Sequence, residues 1–334
     1  MNRGKSILKN LAAGFFISCL LLSSSAQEKK SQLLIPVIAG DFWQIAGNPD
    51  LGELTGENQQ PVDFGIWQAG DGTWQLWSCI RGTECGGNTR LFYRWEGREL
   101  EQKDWEPAGI AMRADTMLGE QPGGLQAPHV IREEGLYYMF YGDWSRICLA
   151  ISQDGKTFRR VLKTEDGEPD LFSENMGEPA RYNHARDPMV LKSGNTYYCY
   201  YTSHSNILEQ NDGASYCRTS LDMTDWSESV MVSHTPPFPG NSPKYSDECP
   251  HVIHLEQNGY YYLFVTQIYG RNSQTTVYAS PSPVYFGLDD DTRVVQKLPV
   301  AAPEIILYEN KYYIASTMPT LDGIWMARLK WVKP

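Results

Sequence analysis

A short anchor motif recurs along the chain and divides it into units of about 60 residues. Four copies place a proline before an apolar run, and they are Ala127–Ile131, Asp187–Leu191, Cys249–Ile253 and Ala302–Ile306. A fifth segment, Asp63–Trp67, fits the same place without the proline. The aligned positions 64, 128, 188, 250 and 303 are separated by 64, 60, 62 and 53 residues. A regular period of this length is typical of repeat architectures, in which each unit is one supersecondary structure.

Each anchor leads through a tight turn into an aromatic segment. Glu134-Gly135 and Asn258-Gly259 are two of these turns, and Tyr137–Tyr141 and Tyr260–Phe264 are the segments that follow them. Short apolar runs joined by such turns predict β-hairpins, and a third strand such as Cys148–Ser152 often follows. We therefore predict an all-β fold, a five-bladed β-propeller, as a single domain over residues 27–334. A two-sheet sandwich is the alternative, but a sandwich does not predict a recurring anchor.

The first 26 residues have the pattern of a secretory signal. Arg3, Lys5 and Lys9 precede the apolar run Leu11–Leu22, and small residues follow at Ser24-Ser25-Ala26. A basic start, a short apolar run and a small-residue cleavage site predict removal of this segment on export. We expect the mature protein in the periplasm or outside the cell. No other segment is apolar enough to span a membrane.

The charge and the aromatic content of the chain restrict the classes of molecule that it is expected to bind. The chain has 29 basic and 40 acidic residues, a net charge of -11, and contains no basic block. This disfavours binding to nucleic acid. Aromatic residues make up 12% of the chain, which suits β-structure and surfaces that stack on sugars. We expect a carbohydrate partner and a monomeric protein.

Six cysteines remain after the predicted cleavage, and their spacing matches no zinc-binding pattern. Cys79 and Cys85 flank a glycine-rich turn and are the best-placed pair for a disulfide. Two free thiols are the alternative.

Three of the five anchors carry an acid at or beside the same position. These acids are Asp63, Asp187 and Glu248. In a propeller the innermost strands line a central channel, so we expect the three carboxylates to converge at one end of it. Two acids on either side of a bond are what glycoside hydrolysis requires, because one protonates the leaving oxygen and the other attacks or activates water.

Two of the anchors resemble known signatures. Arg186-Asp187-Pro188 and Glu248-Cys249-Pro250 resemble those of the five-bladed propeller glycoside hydrolases, namely families 32 and 68, which act on fructans, and families 43 and 62, which act on arabinan and xylan. The run from Glu248 to Ile253 is more similar to family 43, in which Glu-Gly-Pro-His contains the general acid. Ala127–Val130 also resembles the second blade of that family.

The resemblance implies an exported glycosidase that acts on a neutral glycan or oligosaccharide. It implies that Asp63 is the base or nucleophile, that Asp187 orients the substrate and tunes the acid, and that Glu248 is the general acid. It favours inversion of the anomeric configuration. A retaining fructan-type hydrolase or a glycoside phosphorylase on the same fold remains open, as does a propeller that only binds glycan.

Blade one departs from the family pattern. It reads Val62–Trp67 without the proline that follows the aspartate in family 43. Asp41 and Asp50 are therefore substitutes for Asp63. Asp247 is the rival of Glu248, but adjacent residues of a strand point to opposite faces, so only one of them enters the channel.

Four further residues are candidates for substrate binding. Arg186 either binds sugar hydroxyls or forms a salt bridge. His129 and His251 occupy matching positions and are expected to face the axis, where the resemblance implies that a histidine helps to hold a central ion or water. Trp144 is expected to stack on a sugar face. No cofactor is expected, because the histidines show no metal-ligand spacing. A structural calcium ion on the axis is the one exception.

Overall fold

The computed structural model describes residues 32–162, 167, 169–174, 184–205, 212–234, 247–288, 290–317 and 319–334. The predicted secretory signal lies outside the described residues. Within the described ranges, no helix is both long and apolar enough to cross a bilayer.

The described strands form five sheets. Strand β1 is Ile35–Gly47. Blade 1 contains β2 (Gln60–Gln68), β3 (Trp74–Arg81), β4 (Leu91–Gly97) and β5 (Glu106–Met112). Blade 2 contains β6 (Leu125–Glu133), β7 (Leu136–Asp143), β8 (Arg146–Ser152), β9 (Arg159–Arg160) and β10 (Asp170–Ser173). Blade 3 contains β11 (Arg186–Ser193), β12 (Thr196–Ser205), β13 (Asp212–Ser220) and β14 (Val230–His234).

The remaining strands complete the ring. Blade 4 contains β15 (Glu248–Leu255), β16 (Tyr260–Ile268) and β17 (Gln274–Ser280). Strand β18 (Gly287–Leu288) pairs in parallel with β14, and β19 (Val294–Leu298) is the outer strand of blade 4. Blade 5 contains β20 (Ala301–Tyr308), β21 (Lys311–Thr317) and β22 (Gly323–Val332). Short 3-10 helices occur at Gly52–Leu54, Thr116–Leu118 and Gly270–Asn272.

The five anchors are the innermost strands of the five blades. Strands β2, β6, β11, β15 and β20 each lie at one end of their sheet, and each contacts the corresponding strand of the next blade. Strand β20 contacts β2, so the ring is complete. This confirms the predicted five-bladed propeller, and the sandwich alternative is wrong.

The N-terminal strand closes the ring. Strand β1 pairs antiparallel with β22, with Ile35 opposite Val332 and Gly47 opposite Gly323. Blade 5 is thereby built from both ends of the described chain.

Apolar packing between neighbouring blades holds the ring together. The buried residues fall into five clusters, one at each junction between adjacent blades. Trp77 and Tyr141 pack between blades 1 and 2, for example, and Tyr200 and Phe286 pack between blades 3 and 4. Each sheet therefore buries its faces against its neighbours, and the axis is left to the innermost strands.

Every innermost strand is irregular at the same place. The pairing register shifts at the anchor, where one residue per blade adopts a left-handed backbone. These residues are Asp63, Ala127, Asp187, Cys249 and Ala302, with φ values of 25°, 40°, 55°, 49° and 46°. Such a conformation costs a non-glycine residue about 1–3 kcal/mol and is concentrated at functional sites.

The predicted disulfide is absent. Cys79 and Cys85 are both free thiols. The thiol of Cys79 donates to the Leu125 carbonyl at 3.3 Å, and that of Cys85 donates to the Arg90 carbonyl at 3.4 Å. The two thiols therefore form hydrogen bonds with different carbonyl groups, as the alternative of two free thiols predicts.

Candidate active site

The five left-handed residues surround one pocket at the end of the channel. The pocket has a volume of about 30 Å³, and Asp63, Asp187 and Cys249 line it together with the two alanines of the same set. A space of this size accommodates a water molecule. The irregular anchor thus turns one side chain per blade toward a shared point on the axis.

Arg186 connects two of the predicted acids. Its Nε lies 3.4 Å from Asp187 Oδ2, and its terminal NH2 donates to Glu248 Oε1. Burial disfavours the charged guanidinium, but Glu248 and Asp187 outweigh that effect and raise the pKa of Arg186. The salt-bridge interpretation of Arg186 therefore describes this structure.

The environment of Asp187 favours its protonated form. Its side chain is buried, with 6% of the residue exposed. Burial raises the pKa of Asp187 to about 7, Arg186 opposes the rise, and the charges of Asp63 and Glu248 add to it. The hydroxyl of Thr202 also bonds to this carboxyl.

Asp63 accepts a hydrogen bond from a neutral thiol of blade 4. The Cys249 thiol donates to Asp63 Oδ1 at 3.5 Å, and the Tyr269 hydroxyl lies 3.3 Å from the same sulfur. Burial, and then the neighbouring acids, raise the pKa of both the Cys249 thiol and the Tyr269 phenol well above their usual values. Both groups consequently remain protonated and uncharged beside Asp63.

The substitute and rival acids lie elsewhere. Asp41 is exposed on β1, and Asp50 is exposed and accepts from the Gly52 amide at 2.8 Å. Asp247 is fully buried and accepts from the Ser233 hydroxyl at 2.9 Å. The structure thus brings Asp63 and Asp187 to the pocket and joins Glu248 to Asp187 through Arg186, whereas none of these alternatives lines the pocket.

His129 and His251 lie deeper along the axis than the carboxylates. The two rings are 6.3 Å apart, and both are buried. His129 Nε2 lies 3.2 Å from the Val190 carbonyl, and His251 Nε2 accepts from the Ile305 amide at 3.3 Å. Burial lowers the pKa of His129. This placement favours a role in joining neighbouring blades, and contact with a substrate remains a prediction.

Glu304 belongs to the same layer but was not among the sequence candidates. Its Oε2 lies 3.5 Å from His251 Nδ1. It follows its left-handed residue, Ala302, by two positions, as His129 and His251 follow theirs. The alignment of the five anchors therefore already placed Glu304 at the position that His129 and His251 occupy in their blades.

The axial layer is where the predicted calcium ion would lie. Calcium takes six to eight oxygen ligands. This layer offers the carboxylate of Glu304 beside the rings of His129 and His251, and among the described residues no group of three or more His, Cys, Asp or Glu side chains could hold a metal ion. The structural calcium ion therefore remains a prediction.

Two loop residues that the sequence did not single out lie at the site. His184 has both ring nitrogens within 3.2 Å of an Arg186 nitrogen, and burial, with Arg186 next, lowers the pKa of His184 to about 2. Arg90 lies over the ring of Trp144 at 5.2 Å. Neither residue belongs to a repeated segment, so no sequence signal marked it. Trp144 itself is 41% exposed.

A five-bladed propeller with three acids at one end of its channel is the arrangement of the propeller glycoside hydrolases. The sequence model described as "Glycosyl hydrolases family 32 N-terminal domain" matches residues 99–297, which is more than half of the chain. The protein belongs to glycosyl hydrolase family 32. The matched segment includes Asp187 and Glu248 and begins after Asp63.

Solved structures of propeller enzymes share the fold. A thermostable family-43 glycoside hydrolase has 17% sequence identity and a TM-score of 0.61, covering 85% of this chain and 92% of its own. The GH43_1 enzyme from Xanthomonas citri complexed with xylose has 16% identity and a TM-score of 0.58, with 85% and 90% covered. An endo-1,4-beta-xylanase from Bacteroides thetaiotaomicron has 14% identity and a TM-score of 0.56, with 83% and 97% covered. Among curated proteins, none matches this chain.

Proposed function

We propose that this glycoside hydrolase cleaves a neutral glycan or oligosaccharide with Glu248 as general acid and Asp63 as general base. The observation that carries the proposal is the convergence of acids from three different blades: Asp63 and Asp187 line one pocket, and Arg186 joins Glu248 to Asp187. Neighbouring carboxyls in different environments are the means by which such sites divide the acid and base roles.

The charge balance of the pocket supports an uncharged substrate. The charge of Arg186 is already matched by Glu248. Burial raises the pKa of Asp187 to about 7, so a proton occupies this carboxyl over most of the acidic range. A further anion would have to enter beside Asp63 and Glu248, where like charges repel.

The direction of water attack separates two versions of this function. The similarity of the Glu248 anchor to family 43 favours an inverting reaction, in which Asp63 activates a water. Membership of family 32 favours the retaining fructan-type alternative, in which Asp63 is the nucleophile. The two versions use the same residues, so the product anomer distinguishes them.

Export belongs to the same proposal. Residues 1–26 have the composition of a secretory signal, and a secreted glycosidase would meet polymeric substrates outside the cytoplasm. Fractionation of cells that express the full chain tests this, because cleavage near Ala26 shortens the exported form. Full-length protein confined to the cytoplasm would refute it.

A substrate screen tests the activity. The purified chain from residue 27 is incubated with aryl glycosides, sucrose and plant, algal and fungal polysaccharides, and released sugars are separated by chromatography. Asp63→Asn and Glu248→Gln are controls of almost unchanged shape, and Glu248→Gln is expected to be inactive only on substrates whose leaving group needs a proton. Release of a sugar from sucrose or a polysaccharide by the wild type alone supports the proposal. Equal release by all three proteins, or binding of a glycan without any cleavage, would overturn it.

A further inference from the structure

Arg90 and Trp144 are fixed side by side by a pair of glycines. The Arg90 amide donates to the Gly123 carbonyl at 3.0 Å, and the Trp144 amide donates to the Gly124 carbonyl at 2.9 Å. A Cβ on Gly123 would lie 2.3 Å from the Gly86 carbonyl oxygen, and a Cβ on Gly124 would lie 2.9 Å from Asp143 Oδ1. The close approach of three loops therefore requires glycine at both positions.

Trp144 has an unfavourable conformation for an exposed aromatic residue. It occupies the two-residue turn between β7 and β8 with φ of 55°, and 41% of its surface is exposed. Turns of this kind prefer Asn, Asp or Gly where φ is positive. An indole that is both strained and exposed beside an active site is suited to contact with a ligand.

Among the side chains of the described residues, the guanidinium donors of Arg90 have no partner in a hydrogen bond or an ion pair. Within the part of the chain that the structure describes, its guanidinium has the Trp144 ring as a neighbour, and it forms neither a hydrogen bond nor an ion pair with another side chain. Burial opposes its charge, but Cys79, Asp63 and Asp187 outweigh that effect and raise the pKa of Arg90. Two acids of the pocket thus lie within electrostatic reach of a guanidinium that neither of them binds.

We propose that Arg90 is a substrate-binding residue, and that with Trp144 it forms a subsite in which the guanidinium donates to hydroxyl oxygens of a neutral sugar. The proposal rests on the proposed function for the chemistry that follows binding. Arginine offers five donors in a rigid plane, and a half-buried donor without an acceptor loses hydrogen bonds that a sugar restores. A neutral ligand fits because the charge of Asp63 already offsets that of Arg90.

Substitutions at Arg90 test the donors. Arg90→Met keeps the length of the side chain and removes the donors and the charge. We expect it to raise KM about 10- to 100-fold on the sugar that the wild type hydrolyses, as for loss of a hydrogen bond from a charged group, and to change kcat less. Arg132→Met is the matched control, because Arg132 lies over the Tyr137 ring at the same 5.2 Å but on the exposed part of β6.

Deoxy sugars identify the partner hydroxyl. The probes are 4-nitrophenyl glycosides of xylose, arabinose and mannose, together with sucrose, each with its monodeoxy counterparts. We expect one hydroxyl whose removal from the probe raises KM of the wild type by the same factor as Arg90→Met raises KM on the parent probe. Combining that deoxy probe with Arg90→Met should raise KM no further, because both changes remove the same hydrogen bond. Independent losses at every hydroxyl would overturn the proposal, as would an Arg90-dependent preference for the matching uronide.

Binding separates this proposal from the proposed function. Titration of Glu248→Gln with xylose, arabinose, mannose and fructose, followed by tryptophan fluorescence, reports binding without turnover. If the wild type hydrolyses none of the probes but Arg90→Met weakens sugar binding, the proposed function is wrong and the subsite stands. Unchanged binding in Arg90→Met would remove the subsite even if hydrolysis is observed.

Discussion

Arg186 reaches from blade 3 to the Glu248 carboxylate of blade 4 while its Nε stays 3.4 Å from Asp187 Oδ2. One guanidinium therefore holds the acids of two blades in a fixed relation. Because both acids are buried, the loss of Arg186 would leave two carboxyl groups without their counter-charge.

We expect Arg186→Met to lower the free energy of unfolding by about 3–5 kcal/mol, the cost of leaving a buried partner uncompensated. Urea unfolding measures this. Adding Glu248→Gln should restore part of the loss, since glutamine carries no charge. Arg328→Met is the control: Arg328 pairs with Glu101 at 2.9 Å on the exposed surface, and its removal should change the free energy of unfolding much less. Similar losses in the two variants would contradict this account.

Glu248→Gln should separate good from poor leaving groups. General acid catalysis contributes about 10²–10⁴-fold, so activity on substrates with alkyl leaving groups should fall by that factor. Aryl glycosides whose leaving group needs no proton should lose much less. Rates on a matched aryl and alkyl pair measure the difference. An equal loss on both would assign the acid role to another residue.

The product anomer should be inverted. If Asp63 and Glu248 act as base and acid, a water must fit between them, which requires about 6.5–9.5 Å between the carboxyl groups. Proton NMR of the first-formed product reports the configuration before mutarotation. A retained anomer would favour the fructan-type alternative and make Asp63 the nucleophile.

Asp187 should make stability fall with rising pH near neutrality. Its pKa of about 7 lies above the value of about 3.9 in an unfolded chain, so the folded state binds the additional proton. This contribution is complete below the unfolded pKa and is lost as the pH rises through the folded one. Asp187→Asn should therefore gain stability relative to the wild type between pH 5 and 8.

The control for Asp187 is an acid shifted in the opposite direction. Amide hydrogen bonds from Thr157 and Lys156 lower the pKa of Asp154 to about 2. Asp154→Asn should leave the slope of stability between pH 5 and 8 unchanged, because Asp154 is ionised throughout. If the free energy of unfolding of Asp187→Asn and that of the wild type change in parallel with pH, Asp187 does not titrate in this range.

Gly65 should tolerate no side chain at the junction of blades 1 and 2. A Cβ there would lie 2.4 Å from the Pro128 carbonyl oxygen, which is backbone and cannot move freely. We expect Gly65→Ala to destabilise the fold by about 1–3 kcal/mol, as overpacking does. Gly47→Ala is the control, because the nearest atom to a Cβ there is a flexible Gln44 nitrogen at 3.7 Å. Thermal unfolding of both variants compares them.

The sequence predicted the parts of the fold that repeat. The recurring anchors predicted the innermost strands, and the acids at or beside three of them predicted the candidate site residues Asp63, Asp187 and Glu248. The depth of His129 and His251 was not predictable, because it depends on the shift of register at each anchor rather than on spacing along the chain. Arg90 and Tyr269 come from connections between second and third strands, which differ in every blade, so their position follows from the packing of loops alone.

The pairing of β1 with β22 sets the order in which the molecule can be completed. Blades 1 to 4 contain strands that lie near one another along the chain, so each can form as soon as its own segment has been synthesised. Blade 5 has to wait until β22 leaves the ribosome, while β1, made first, remains without its partner. The active-site pocket needs all five anchors, so its geometry is set only at this last pairing step.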